Sequence, residues 1–249
     1  MMRVIVAILG VALFGAAKLP VEQAIAETHR QLHFRALDFN LDLREHVGQL
    51  GFIAALSGFR SLVADALFLQ AHVAWERTEW GRVLLLFRRI TTLQPRALLF
   101  WDMAAWHMAW NASTAALNDR AQPRLALRIK AQREYFQLGK DFLERGIRNN
   151  PDRPQLYEAL GRLYRDKYGD HEHAAEFYAK AALLPEAPGY EKRFAAYELA
   201  LCPGREREAY ASLQALYKSG EKERFPTLLR RLKELEIKLE IPPDERIPD

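Results

Sequence analysis

The stretch Ala97-Leu-Leu-Phe-Trp-Asp-Met-Ala-Ala-Trp-His-Met-Ala-Trp-Asn111 holds three of the five tryptophans of a 249-residue chain. Asp102 and His107 interrupt an otherwise apolar run there. At helical spacing, Met103, Trp106 and Trp110 form one stripe, and Trp101, Ala105, Met108 and Ala112 form its neighbour. A carboxylate and an imidazole among indoles allow two readings. In one, Trp and Met fill a wide core gap. In the other, the indoles line a binding surface, where they offer contact area at little entropic cost and Asn111 hydrogen-bonds a peptide backbone. Arg60 and Asp65 are further charges in apolar surroundings, beside Phe59, Leu62, Val63 and Leu67. Such charges need partners when buried, and Asp102 and Glu76 are the candidates.

The remaining chemistry-bearing residues give weaker signals. His29 and His33 stand at i, i+4, a spacing usable for zinc, but no acid lies between them and no third ligand is evident. His171-Glu-His173 falls in a turn and reads as solvated, whereas His72 and His107 read as hydrogen-bonded inside the fold. The spaced carboxylates Glu206 and Glu208 sit in a charge-mixed helix. One cysteine, Cys202, excludes a disulfide framework and any cysteine-built metal site. No Gly-rich phosphate loop and no G-x-S-x-G is present. The reading is therefore non-enzymatic, without cofactor or metal. An enzymatic or small-ligand alternative needs a closed pocket around Arg60, Asp65, Asp102 and His107.

Hydrophobic residues make up 49% and charged residues 27%, an ordinary globular balance that excludes disorder and a polytopic membrane protein. The net charge of +4 is too even to imply nucleic acid. Its distribution is uneven: residues 120–170 carry twelve Lys and Arg against seven acids. Arg120, Arg124, Arg128 and Lys130 form the densest basic patch. Its readings are a solvated face, a dock for an acidic partner, or a contact with anionic lipid headgroups.

At the N-terminus, Met1-Met2-Arg3 precedes fourteen uncharged residues, Val4 to Ala17, and then Lys18. A basic start followed by an apolar run reads as an export signal, here a signal-anchor over residues 1–20. Cleavage after Ala17 or Ala26 is the alternative. Under both readings the remainder is expected outside the cytoplasm, held at the membrane or secreted; a buried cytosolic helix is the third reading. Residues 21–59 read as a connecting helical segment.

Beyond residue 60 the chain reads as helices stopped by proline. Three helix tails end alike, at Pro95, Pro151 and Pro185. Pro151 and Pro185 lie 34 residues apart, and Pro95 and Pro151 lie 56 apart, 22 more than that period. A period of 34 is that of a helix–turn–helix repeat. In the unit ending at Pro185, Tyr157-x-x-Leu160-Gly161-x-x-Tyr164 opens the first helix, and Ala174-x-x-x-Tyr178-x-x-Ala181 marks the second. The spacing slips by one at Gly169-Asp170-His171. These residues resemble the tetratricopeptide repeat: Gly161 and the alanines allow close helix approach, and the tyrosines fill the gaps. The unit ending at Pro95 is degenerate, with Ser61 to Arg77 as its first helix and a capped turn at Thr78-Glu79-Trp80 leading into Val83, Phe87 and Ile90. The middle unit carries an insertion at about residues 113–133. A fourth pair covers Tyr190 to Leu201 and Arg205 to Lys218. Pro226 opens a charged final helix, Thr227 to Leu239, followed by an extended acidic tail.

The expected fold is all-α: a right-handed solenoid of about four repeat-like helix pairs over residues 60–225, capped by residues 226–249 and preceded by an apolar N-terminal helix. The resemblance implies that the first helix of each pair faces a concave groove. Residues Arg60, Asp65, Trp101, Asp102, Trp106, His107, Trp110 and Asn111 are the groove candidates. The expected function is a scaffold at the cell envelope that holds a peptide or a partner helix, with no nucleic acid bound. A structural subunit of a larger envelope complex is the alternative.

Overall fold

Prolines and glycines spaced along an apolar-periodic chain leave helices between them. The computed structural model describes residues 59–248, and no strand occurs among them. In chain order α1 is Arg60–Glu76, α2 Trp80–Leu93, α3 Leu98–Trp106, α4 Ser113–Leu117 and α5 Leu125–Asn149. Then come α6 Pro154–Leu163, α7 His171–Ala182, α8 Tyr190–Leu199, α9 Glu206–Lys218 and α10 Pro226–Lys238. Two π-helical segments, His107–Ala112 and Tyr164–Tyr168, and two 3-10 turns complete the set. None of the described helices is long and apolar enough to cross a membrane. The expected signal-anchor at 1–20, the connecting segment to residue 58, and His29 with His33 lie outside the described residues.

Helices pack mainly on their neighbours in sequence: α1 on α2, α2 on α3, α3 and α4 on α5, α5 on α6, and so on to α10. Alternate helices also meet. Phe68 of α1 touches Phe100 of α3, with ring centroids 5.6 Å apart. Asp102 of α3 pairs with Arg162 of α6 at 3.2 Å. The Tyr190 hydroxyl of α8 donates to Glu158 of α6 at 3.1 Å. Arg193 of α8 pairs with Glu223, just before α10, at 2.7 Å.

The apolar periodicity sets which faces are hidden. On α2, Val83, Phe87 and Ile90 are buried. Thr78 does not cap this helix, because its hydroxyl donates to the Arg77 carbonyl and its own φ is 57°. In the unit with the clearest repeat pattern, Leu160, Ala174, Tyr178 and Ala181 are fully buried. A Cβ on Gly161 would lie 3.3 Å from the Ala174 carbonyl oxygen and from the Tyr178 ring. Tyr157 and Tyr164 are half-buried, and Pro185 is exposed. The Tyr157 hydroxyl donates to the Pro151 carbonyl, and Tyr164 stacks on Phe177.

The one-residue slip in that unit is the π segment Tyr164–Tyr168, a wider turn that absorbs one extra residue, closed by Gly169 at φ 62°. Asp170 then caps α7 by accepting from the His173 amide at 3.0 Å. His171 and His173 are not simply solvated: His171 meets Glu198 at 2.7 Å and His173 meets Asp170 at 2.7 Å. His72 is exposed beside Glu76 rather than hydrogen-bonded in the interior.

Residues 113–133 divide among α4, a connection at 118–124 and the first turns of α5. Helical dihedrals at Trp106, His107 and Ser113 make 98–117 one continuous run. The extra length thus enlarges both helices of the middle pair. Pro95 anchors that pair from outside, because its carbonyl accepts from Trp101 Nε1 at 3.0 Å and Asn150 Nδ2 at 2.8 Å. At the C-terminal end, Leu228, Leu232 and Leu235 of α10 close a core with Leu199, Ala209 and Leu213. The tail is not extended throughout: a 3-10 turn at Pro243–Glu245 leads to buried Ile247, whose amide donates to Glu236 at 2.8 Å.

Candidate functional site

Asp102, Met103, Trp106 and Trp110 stand at i, i+1, i+4 and i+8 along the run 98–117, and therefore share a face. With Arg162 of α6 they line an open cavity of about 380 Å³. Two helix rows create it. The opposite face of the same run carries Trp101, Ala105, Met108 and Ala112, all buried against α5 and its neighbours. Burying that stripe turns the other one outward. The π segment His107–Ala112 lies against α5, where a Cβ on Gly139 would come within 2.7 Å of the Ala109 Cβ and 3.0 Å of the Ala105 carbonyl oxygen.

The floor of the cavity is charged. Asp102 and Arg162 are both partly exposed, at 48% and 40% of their side-chain area. Burial pushes the Asp102 carboxyl above its ordinary range, Arg162 opposes this, and Glu158 adds to the rise. Trp110 is flanked by cations: Lys167 Nζ stands 4.9 Å and the Arg162 guanidinium 5.9 Å from its ring centre. Lys167 also covers Phe136 at 5.7 Å, and burial lowers its pKa. Trp106 remains 41% exposed, an open indole at the rim. The arrangement offers an aromatic surface, a guanidinium and a carboxylate side by side, which suits a ligand with both apolar and polar parts.

Beyond Arg162 the polar row continues along α6 to α8. Glu191 is fully buried, and neither carboxyl oxygen has a hydrogen-bond partner. Burial first, and then the charge and side chain of Glu158, push its pKa up to about 8.

Two groove candidates belong to the core instead. Trp101 is 2% exposed and His107 is 4% exposed. Trp101 fills the contact with Gly146, where a Cβ would lie 2.9 Å from its Cγ. His107 sits among Trp75, Phe87 and Trp106, with ring centres 5.6, 5.4 and 5.1 Å away. Burial lowers its pKa to about 4, with His72 adding to the effect. The Asn111 side-chain amide is engaged with His107 Nδ1 at 3.3 Å. The enzymatic quartet does not converge: Asp65 is exposed, His107 is buried, and only Asp102 of the four lines the cavity. Asp102 takes Arg162 as its partner rather than Arg60.

Arg162, Lys167, Glu158 and Glu191 were not singled out as site residues from the sequence. A signal for two existed. In the repeat pattern the unassigned positions Glu158 and Arg162 are i, i+4, one face of α6 turned away from Leu160. Nothing local marks Glu191 as buried. Among the basic-patch residues, Arg120, Arg124 and Lys130 are exposed, while half-buried Arg128 donates to the Leu117 carbonyl at 3.3 Å. No group of three His, Cys, Asp or Glu side chains gathers as metal ligands among the described residues. The sequence matches no protein-family model and no curated protein.

Proposed function

We propose that this chain is a non-enzymatic scaffold of the tetratricopeptide type, a right-handed solenoid that holds a peptide or a partner helix along the row of first helices. The observation that carries this reading is the cavity of Asp102, Met103, Trp106, Trp110 and Arg162, which lies where first helices α3 and α6 meet. The contacts α1 to α3, α3 to α6, α6 to α8 and α8 to the turn before α10 support the solenoid arrangement. In a stack of helical hairpins such alternate contacts run along one face. Residues 1–20 would tether the scaffold to the cell envelope, with the repeats outside the cytoplasm.

The test uses Trp106, whose indole is 41% exposed at the cavity rim although one edge meets His107. Crosslinking in the native cell, followed by mass spectrometry, identifies the partner. Trp106→Ala and Arg162→Gln are then expected to lower its capture at least about tenfold, the scale of a central interface contact. Thermal melting should stay near that of the unsubstituted protein. Undiminished capture by both variants would remove the groove from consideration.

A second reading, a structural subunit of a larger assembly, is favoured by one feature. Phe59, which precedes α1, and Leu62, Leu69 and Val73 on it are exposed by 58, 64, 67 and 40%. With Ala66 they keep the 3-4 spacing of a helix–helix seam. The face opposite, with Ala64, Ala71 and Ala74, is already buried in the fold.

A further inference from the structure

The long middle pair ends in a tip, residues 118–130, whose surface combines two properties. Leu125 and Leu127 are 56% and 42% exposed. Arg120, Arg124, Lys130 and Arg133 are exposed around them. Over residues 118–134 five cations face only two acids. Of these acids, Asp119 turns an oxygen to the Ala121 amide at 2.9 Å, and Glu134 meets Lys130 only at 3.9 Å. Among the described residues, Arg120, Arg124 and Arg133 find no side-chain hydrogen bond or ion pair. A shallow hollow of about 380 Å³, lined by Ala126, Ile129, Lys130, Arg133, Glu134 and Gln137, continues this surface along α5.

Exposed leucines are disfavoured in water, and clustered guanidiniums repel one another. An anionic bilayer answers both at once. The leucines sink below the headgroups, and the long basic side chains reach back to the phosphate level. A nucleic-acid strand would satisfy the cations but leave the leucines idle, and no aromatic ring stands at the tip for base stacking. An acidic protein would satisfy the cations equally. The pairing of long basic side chains with two protruding leucines, beside a hollow that is shallow and open rather than a closed seat for one side chain, favours a fluid surface.

We infer that the tip of the middle helix pair, residues 118–130 with Arg133, docks onto an anionic lipid surface. The site is separate from the tryptophan cavity and does not depend on its ligand.

The experiment compares full-length protein on phosphatidylcholine vesicles and on vesicles of phosphatidylcholine and phosphatidylglycerol in equal parts. Attachment through residues 1–20, with Arg3 and Lys18, would be shared by wild type and variants, so it cancels when each variant is compared with wild type on the same vesicles. Wild type is expected to prefer the anionic vesicles. R120Q/R124Q/R133Q should lose that preference by more than tenfold, since each basic side chain near such a surface is worth about fivefold in partition. L125S/L127S should lower binding to the anionic vesicles while keeping its salt dependence. Raised salt should erase the preference of the unsubstituted protein, a reading that needs no variant. Equal binding to both vesicle types by wild type overturns the proposal. So does an anionic preference that survives the triple substitution. Loss of an acidic protein partner with vesicle binding unchanged overturns it as well.

Discussion

A glycine inside a helix usually weakens it, and Gly→Ala there stabilises by about 1 kcal/mol. Gly139 reverses that rule, because the Cβ it lacks would collide with the Ala109 Cβ at 2.7 Å. Gly139→Ala is therefore expected to destabilise by about 1–3 kcal/mol, the cost of overpacking. Chemical denaturation reads the sign directly. His107 makes a second prediction at this scale. Its folded pKa of about 4 lies below the ordinary 6.5, so between those values the unfolded chain binds more protons. Stability then falls as pH drops from about 6.5 towards 4, by up to about 3 kcal/mol for this group. Glu191 contributes the opposite slope, since its raised pKa favours the fold as pH falls from about 8. The difference between wild type and His107→Gln isolates the histidine. That difference should shift against wild type as pH is lowered through this window, and a pH-independent difference would refute the assignment.

At the scale of elements, the two π segments do different local work from one physical cause. A single extra residue in a helix widens one turn rather than shifting everything after it. At Tyr164–Tyr168 this wider turn takes up the slip in the repeat spacing. At His107–Ala112 it lies where the run 98–117 presses on Gly139. Helix α1 poses the opposite question, because it is apolar on two faces. Leu62→Gln with Leu69→Gln should leave stability within about 0.5 kcal/mol, as for other exposed sites. If α1 is an assembly seam, the same pair should lower self-association or complex formation measured by analytical ultracentrifugation. An unchanged sedimentation profile would set the subunit reading aside.

For the whole described body, contacts run mainly between sequence neighbours, so stability should be local as well. Removal of residues 226–249 strips Leu228, Leu232, Leu235 and Ile247 from the core shared with Leu199 and Leu213. Hydrogen exchange is expected to accelerate in α8 and α9 while protection in α1 to α3 stays near that of the full chain. A uniform loss of protection would mean one cooperative unit instead.

What could be read from residues alone was whatever depends on period and punctuation. Helical spacing identified Val83, Phe87 and Ile90 as a buried stripe, and the proline stops and small residues separated the helices and marked Gly161 for close contact. The stripe pattern also divided the tryptophan helix correctly into Trp101 with Met108 and Met103 with Trp106 and Trp110. It could not say which stripe faces inward, because both are apolar; it offered Trp101 as a groove residue, and His107 both as a groove residue and as the hydrogen-bonded interior residue that it is. That choice was made by α5, whose Gly139 and Gly146 admit one stripe at close range. Partners distant in sequence were decided in the same way: Asp102 found Arg162 sixty residues on, and Glu191 was shut away without a donor. Local spacing follows from the geometry of one helix, but burial and charge pairing depend on which second helix arrives.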